Sequence, residues 1–207
     1  MFLTSIIAGI TVVISLLALA NKTYFHKLEY TPFLVKHNKQ YYRMFSHALV
    51  HADFFHLLVN MYVLYHFGEL TERFFLMVHG ETNGKFYFLL LYLGGVMFSA
   101  LPAYKKHQDN YSYNAVGASG AVSSVLFGAI LFMPLQKLYL FFIPIGIPAF
   151  IFAIFYVLYE SYMNKRGGDF IAHDAHLWGA IFGVVFTIII KPSVGLSFLS
   201  QVLGFLF

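Results

Sequence analysis

The chain has 207 residues, of which 59% are hydrophobic, 20% are aromatic and only 11% are charged, and its mean hydropathy is +0.71. This composition lies far outside that of soluble globular domains and predicts an integral membrane protein. The chain has no cysteine, which excludes disulfides, thiolate nucleophiles and thiolate metal ligands. Its net charge of +4 is not gathered into a basic run, which favours membrane lipids over nucleic acid as a partner.

The apolar tracts are each about as long as a membrane-crossing helix, roughly 20 residues, and they do not alternate as barrel strands do. They predict an all-α, polytopic bundle of six transmembrane helices, forming a single domain over residues 1–207. The expected spans are residues 1–20, 54–67, 86–102, 115–132, 138–159 and 170–190. A cleaved signal peptide is the alternative for the first span, but no basic residues precede its apolar run. The apolar tail after Pro192 is expected to lie on the membrane surface.

The connections between these spans differ in character. Residues 21–53 interleave Lys and Arg with aromatic residues, a pattern typical of a membrane-interface segment. Residues 69–85 form a polar connection whose apolar centre, 74–78, is expected to lie along the surface. Residues 104–113 and 160–169 are expected to be loops. Pro144 and Pro148 should kink the fifth span or delay its start, which makes that span a candidate gate.

Six alternating spans place the starts of the second, fourth and sixth helices on one side of the membrane. Each start carries polar residues: His56 and Asn60, then Ser119, then His176. Polar residues inside a membrane usually mark functional sites. Their convergence predicts acyl transfer, in which His176 takes the proton of Ser119 as the hydroxyl attacks a carbonyl. His56, Asn60 and the backbone N–H of Ser119 would stabilise the oxyanion.

Each of these residues also has a purely structural interpretation. Ser119 is flanked by small residues that let membrane helices approach closely, and Asn60 could join helices by hydrogen bonding. Gly179 and Gly183 form a small-xxx-small stripe that predicts close packing of the fourth and sixth spans. Asp174 lies two residues from His176 and therefore points elsewhere on a helix, which favours a Ser–His dyad over a triad.

Several motifs occur in a fixed order along the chain. They are Tyr42-Arg43, His51, His56-Leu-Leu-Val-Asn60, Gly117-Ala-Ser119-Gly120, and Ala175-His176-Leu-Trp-Gly179 followed by Gly183. With these motifs the chain resembles the rhomboid intramembrane serine proteases over essentially its whole length. The resemblance implies a six-helix fold and hydrolysis of a peptide bond in or near the transmembrane segment of a protein substrate, with a small residue before the cut. No cofactor or metal is expected.

The resemblance also implies individual roles. Ser119 would be the nucleophile and His176 its base, with His56 and Asn60 in the oxyanion hole. Structural or water-relay roles would fall to the remaining motif residues and to the glutamate after the second span: His51, Arg43, Glu72, Gly117, Gly120, Gly179 and Gly183. The polar face formed by His51, His56, Asn60 and His176 is expected to be hydrated, because hydrolysis needs water.

Two residues depart from the family pattern. Tyr42 replaces the usual tryptophan before Arg43. Ser123 stands where a well-studied member has a tyrosine stacked on the catalytic histidine, so another aromatic residue is expected to hold His176.

Two other functions compete with proteolysis. A rhomboid-like pseudoprotease would bind or escort membrane helices, but it would have no need of both Ser119 and His176. A metal-dependent membrane hydrolase would use the histidines, but the sequence offers no H-E-x-x-H helix and no carboxylate at the expected depth.

The distribution of positive charge conflicts with the topology that the resemblance implies. Most of the 13 Lys and Arg residues fall on the side of the Ser119 site, namely Lys22, Lys27, Lys36, Lys39, Arg43, Lys105, Lys106, Lys165 and Arg166. The positive-inside rule would turn that side toward the cytoplasm. Rhomboid topology has cytoplasmic termini and a site that opens outward, in a cell inner or plasma membrane. We adopt this topology, because the long first connection is expected to be folded and its charges are then less diagnostic.

Overall fold

The computed structural model describes residues 2–139, 145–168 and 171–207. These residues form a helical bundle. Its helices are α1 (Leu3–Ala20), α2 (Lys22–Leu28), α3 (Pro32–Asn38), α4 (Arg43–Ser46), α5 (Phe54–His107), α6 (Ser119–Phe132), α7 (Ala149–Arg166), α8 (His173–Ile190) and α9 (Ser193–Leu206). A 3₁₀ turn covers His47–Leu49, and strand β1 (Lys137–Leu138) pairs antiparallel with β2 (Ile147–Pro148). The first connection is folded, as expected, into α2, α3, α4 and the 3₁₀ turn.

Helix α5 is a hairpin of two helical arms. Gly80 breaks it with a φ of 77°, a conformation that glycine adopts without strain. A Cβ on Gly84 would lie 2.6 Å from the backbone of Leu76, so the arms 54–79 and 81–107 fold back against each other. The second arm also continues to His107, through part of the predicted loop 104–113.

The polar connection predicted over residues 69–85 is wrong, since this region is helical on both sides of Gly80 and only residues 80–83 form an exposed turn. Phe75 is fully buried in the core while Met77 is 79% exposed, so residues 74–78 form one turn of a packed helical arm and do not lie along the surface as a separate segment. Glu72 is also fully buried, and its carboxylate accepts hydrogen bonds from the N–H groups of Leu3 and Thr4 and from the Thr4 hydroxyl. Glu72 therefore caps the start of α1. Its carboxylate pairs with N–H groups that have no acceptor within the helix, and its negative charge interacts favourably with the positive end of the helix dipole.

Helix α6 lies at the centre of the bundle. Every residue from Gly120 to Leu131 is buried, which is the pattern of a helix surrounded by others. The stripe on α8 lies against it, because a Cβ on Gly179 would sit 2.1 Å from the carbonyl oxygen of Gly120 and one on Gly183 would sit 2.2 Å from that of Ser124. The predicted close packing of these two helices is confirmed.

Three of the described helices, α1, α5 and α8, are long and apolar enough to cross a membrane. The apolar helices α6 and α9 are shorter, and α5 contains two arms. The helical membrane bundle is therefore established, while the number of six crossings stays a prediction.

The predicted bounds of the fifth and sixth spans need correction. Helix α7 begins at Ala149, immediately after Pro148, rather than at residue 138, because proline lacks the N–H that a helix interior requires. It continues to Arg166, so most of the predicted loop 160–169 is helical. Pro144, and the predicted start of the sixth span at Phe170, lie outside the described residues.

Candidate active site

The backbone leading into Ser119 is held by the first connection. Ala115 exchanges two backbone hydrogen bonds with Tyr30, each 2.9 Å long. The N–H of Gly117 donates to the carbonyl of His47 at 3.0 Å, and the N–H of Ala118 donates to Nε2 of His51 at 3.3 Å. Ser119 follows as the half-buried first residue of α6. The long connection thus fixes the position of the candidate nucleophile.

His51 is fully buried, and both of its ring nitrogens are hydrogen-bonded within the protein. Because Nε2 accepts from Ala118, Nδ1 carries the proton and donates to the Ser15 hydroxyl at 3.1 Å. Burial, followed by repulsion from His56, lowers the pKa of His51 to about 3. These contacts suit the structural role among the two considered for His51, whose ring packs against that of His56 with centroids 5.0 Å apart.

His56, near the start of α5, packs against Gly117, which lies two residues before Ser119. Asp53 caps this helix by accepting the N–H of His56 at 2.8 Å. A Cβ on Gly117 would lie only 2.7 Å from Cε1 and 2.9 Å from Nε2 of His56, and the φ of Gly117 is 113°. Space and backbone conformation therefore both require glycine at this position.

Asn60 lies one turn further along α5 and is buried. Its side-chain amide donates to the carbonyl of His56 at 2.9 Å, which ties it to its own helix.

His176 lies near Ser119 because the helices that carry them, α8 and α6, are in contact. Ser119 immediately precedes Gly120, whose carbonyl faces Gly179, and a Cβ on Gly120 would be 3.3 Å from the carbonyl of Ala175. His176 follows Ala175 and is 16% exposed. The two residues therefore lie on either side of the close contact between Gly120 and Gly179.

A carboxylate that the sequence analysis missed lies beside His176. Glu160 on α7 is only 5% exposed. Its Oε1 accepts from Nδ1 of His176 at 3.0 Å, and its Oε2 accepts from Nδ1 of His173. The expectation that no carboxylate lies at the depth of the histidines is therefore wrong, and the carboxylate beside His176 is Glu160 rather than Asp174.

Glu160 was missed because residues 160–169 were predicted to be a loop. Helix-ending signals nevertheless occur a full turn later in the sequence, since Lys165 and Arg166 form a basic last turn and Gly167 follows. Extending the helix to those signals would have placed Glu160 one turn after Tyr156, on the same face.

Tyr156 on α7 lies beside both Ser123 and His176. Its hydroxyl is 2.6 Å from the Ser123 hydroxyl, and its ring centroid is 6.5 Å from that of His176 at an interplanar angle of 33°. An aromatic ring from α7 therefore occupies the neighbourhood of His176, and the small Ser123 side chain supplies its hydrogen-bond partner.

The first turn of α6 offers donors for a developing oxyanion. Helix geometry leaves the N–H groups of Ser119, Gly120 and Ala121 without intrahelical acceptors, at the positive end of the helix dipole. A cavity of about 30 Å³ lies beside them. Its lining includes Ser119, Gly117, Gly120, Ala172 and Ala175. The cavity is large enough to hold a water molecule.

Arg43 joins segments of the first connection. It is 5% exposed and donates to the carbonyls of His26 and Glu29 at 2.9 and 2.7 Å. It therefore binds α2 to α4, while the Tyr42 hydroxyl donates to the carbonyl of Lys27 at 3.2 Å.

Glu160, His173 and His176 also form a set that could ligate a metal ion, because one ligand atom from each lies within 4.8 Å of the others. Carboxylate and imidazole groups are common zinc ligands. Hydrogen bonds explain the same contacts without a metal ion, if Nδ1 of His173 and Nδ1 of His176 each carry a proton and donate it to Glu160.

Comparison with known proteins places this arrangement in a family. The model of the Rhomboid domain matches residues 38–193. RHOMBOID-like protein 12, mitochondrial, of Arabidopsis thaliana is 30% identical over 152 residues, which cover 69% of this chain and 44% of that protein. "Putative rhomboid protease YdcA" of Bacillus subtilis is 35% identical over 100 residues, covering 48% and 45%.

The presenilin-associated rhomboid-like protein, mitochondrial, of Homo sapiens is 29% identical over 140 residues, covering 65% of this chain and 34% of that protein. The chain thus matches less than half the length of these relatives. The mitochondrial names give no support to the expected cell inner or plasma membrane. The match over residues 38–193, together with the apolar helical bundle, shows that the chain is an integral membrane protein and belongs to the rhomboid family.

Proposed function

We propose that the protein is an intramembrane serine endopeptidase with Ser119 as its nucleophile and His176 as its general base. The observation that carries the proposal is the contact between α6 and α8, where Gly179 against Gly120 brings the helices bearing these two residues together. The hydrogen bond from Nδ1 of His176 to Glu160 leaves Nε2 of His176 as an acceptor, which is the protonation state that a base needs.

The reaction starts with attack of Ser119 Oγ on the scissile carbonyl, while its proton passes to Nε2 of His176. The oxyanion is stabilised by the backbone N–H of Ser119, together with His56 and Asn60. The imidazolium then gives its proton to the leaving amine, and water hydrolyses the acyl-enzyme by the same steps. The substrate is a transmembrane protein, and its segment has to unwind locally because the amides of an intact helix are already hydrogen-bonded.

Two alternatives predict different results for this site. The cluster of Glu160, His173 and His176 favours a metal-dependent hydrolase as the second candidate. A protein that only binds membrane helices is the third, and it would need neither base nor nucleophile.

Covalent labelling by a fluorophosphonate or an isocoumarin tests the proposal. We expect the wild type to be labelled in detergent micelles, Ser119→Ala to lose labelling, and a chelator to leave it unchanged. Ser197→Ala is the matched control, because Ser197 is an exposed serine of α9. His176→Ala should lower the labelling rate by at least about 10²-fold, the lower end of the usual contribution of a general base.

Labelling that survives Ser119→Ala would contradict the nucleophile. Cleavage of a transmembrane reporter that stops on chelation and returns with zinc would favour the metal-dependent hydrolase. A wild type that is folded but neither labelled nor active would favour a binding protein.

A further inference from the structure

Glu160 enters the proposed reaction only as the acceptor of the Nδ1–H of His176, and its contribution to the rate is a separate question. We propose that Glu160 is a positioning residue that orients His176, so that Ser119, His176 and Glu160 form a triad in which His173 is a second hydrogen-bond donor to the carboxylate. This inference rests on the proposed serine protease function.

The first argument is geometric. His173 and His176 are three residues apart on α8, so their side chains lie on one face of that helix. Both Nδ1 atoms face the same carboxylate, and each carboxylate oxygen accepts one imidazole N–H. His173 thereby fixes the plane of the carboxylate, and Oε1 remains directed at His176.

The second argument concerns buried charge. Glu160 is 5% exposed in an apolar bundle, and a buried carboxylate is costly unless its oxygens are hydrogen-bonded. The two imidazole donors meet this requirement. A side chain that served only to pack α7 against α8 would not need to be ionisable.

The third argument concerns the proton. An Nδ1–H donated to Glu160 keeps the lone pair of His176 on Nε2, which is the atom that receives the Ser119 proton. When that proton arrives, the ring becomes an imidazolium next to a carboxylate, and the opposite charge stabilises it. Glu160 remains ionised throughout, and the proton passes from Ser119 Oγ to Nε2 and then to the leaving amine.

Among the residues that the structure describes, the groups that act on the charge of His176 come from three helices. They are Glu160 and Tyr156 on α7, His173 on α8 and His56 on α5. Glu160 is the one carboxylate among them, so removing its charge should change the pH dependence of the reaction in a direction that can be foreseen.

The test uses Glu160→Gln in the full chain reconstituted in liposomes, with a cleavable transmembrane reporter. We expect kcat to fall by about 10²- to 10⁴-fold with KM within about 2-fold, because loss of the orienting carboxylate in a serine protease costs up to about 10⁴ in kcat. We also expect the acid limb of the pH–rate profile to move to lower pH, because an imidazolium without its carboxylate is less stable.

Three variants serve as controls. Glu81→Gln removes an exposed carboxylate and should leave the rate and the pH profile unchanged. His173→Gln keeps the bond between Glu160 and His176, so it should lower kcat by less than about 10-fold and leave the acid limb in place. If Glu160→Gln does not fold, Glu160→Asp keeps the charge but shortens the side chain. It should fold, lose about 10- to 100-fold in kcat, and retain the acid limb.

The outcomes separate this inference from the proposed function. A Glu160→Gln variant with a kcat within 3-fold of wild type and an unchanged pH profile would overturn the positioning role. So would a Glu160→Asp variant of full rate. In both cases loss of labelling in Ser119→Ala would leave the serine mechanism standing, whereas labelling of Ser119→Ala would remove the mechanism itself. Chelator-sensitive cleavage would assign the three residues to a metal ion instead.

Discussion

At the scale of single residues, His51 shows how a neutral imidazole can hold a nucleophile loop. Its Nε2 accepts the N–H of Ala118, the residue before Ser119, and this bond is lost when Nε2 is protonated. Burial lowers the pKa of His51 to about 3 and that of His47 to about 4. The unfolded chain, in which these rings titrate near their usual value of about 6.5, therefore binds protons that the folded chain does not.

This difference predicts that the protein loses stability in acid. Each of the two histidines contributes stability that is complete above about pH 6.5 and falls toward the folded-state values, with a slope of up to about 1.4 kcal/mol per pH unit. We expect the free energy of unfolding of the wild type to decrease steeply between pH 6 and pH 4, and that of His51→Gln to decrease less steeply. Denaturant titrations in micelles at several pH values measure both slopes.

The control for this prediction is His37→Gln, which removes a partly exposed histidine paired with Asp109. It should retain the pH slope of the wild type. Equal slopes in the wild type and His51→Gln would mean that His51 does not titrate with unfolding.

The sequence identified these residues unevenly. His51, His56, Ser119 and His176 belong to motifs with fixed spacing, so the order and spacing of the residues are enough to single them out. Glu160 belongs to no such motif, and its significance depends on a tertiary contact between α7 and α8. Such a contact follows from the packing angle and depth of the helices, which local periodicity does not encode.

At the scale of elements, the approach of α6 and α8 is controlled by glycine. Gly179→Ala would place a Cβ 2.1 Å from the carbonyl oxygen of Gly120, which belongs to the backbone of a central helix and has no freedom to rotate away. Overpacking of this kind costs about 1–3 kcal/mol or more. It would also separate the helices that carry Ser119 and His176.

We therefore expect Gly179→Ala to lower the thermal unfolding temperature and to abolish labelling of Ser119. Gly9→Ala is the matched control, because no atom lies within 4 Å of the position of its Cβ on α1. Alanine is favoured over glycine in helices by about 1 kcal/mol, so this control should be neutral or slightly stabilising. A Gly179→Ala variant that unfolds and labels as the wild type does would contradict the close packing.

The elements were predicted well where composition changes sharply and poorly where polar and apolar residues alternate. Pro148 correctly indicated a delayed start of α7, although the predicted bound was eleven residues too early. The polar residues after Phe67 suggested a connection, but Glu72 accepts hydrogen bonds from the start of α1 and the helix continues. The sequence around a glutamate does not show whether its carboxylate is hydrogen-bonded by a distant helix or is exposed to water.

At the scale of the whole molecule, the contacts determine which ends of the helices share a side. His56 near the start of α5 touches Gly117, and His107 at its end stacks on Tyr113 with ring centroids 3.8 Å apart. Both ends of the α5 hairpin therefore lie with the start of α6, and Gly80 lies at the opposite end. Ser119 and Gly80 therefore lie at opposite ends of the helical bundle.

The structure also weakens the conflict with the positive-inside rule. Arg43 is buried and bound to backbone carbonyls, and Lys36 binds both carboxylate oxygens of Asp109 at 2.8 and 2.7 Å. These charges serve the folded first connection and its neighbouring loop. They are therefore poorer guides to orientation than free charges near helix ends.

Orientation can be tested directly, because the chain has no cysteine and each introduced thiol is the sole reactive one. Ser112, Asn164 and Thr82 are exposed, the first two at the Ser119 end and the third beside Gly80. If the site opens away from the cytoplasm, Ser112→Cys and Asn164→Cys should react with a membrane-impermeant maleimide in intact cells, and Thr82→Cys only after permeabilisation. The reverse pattern would show that the positive-inside rule sets the orientation. Opposite reactivity of Ser112→Cys and Asn164→Cys would instead show that the starts of α6 and α8 do not share a side, and the proposed site would then lose its geometric basis.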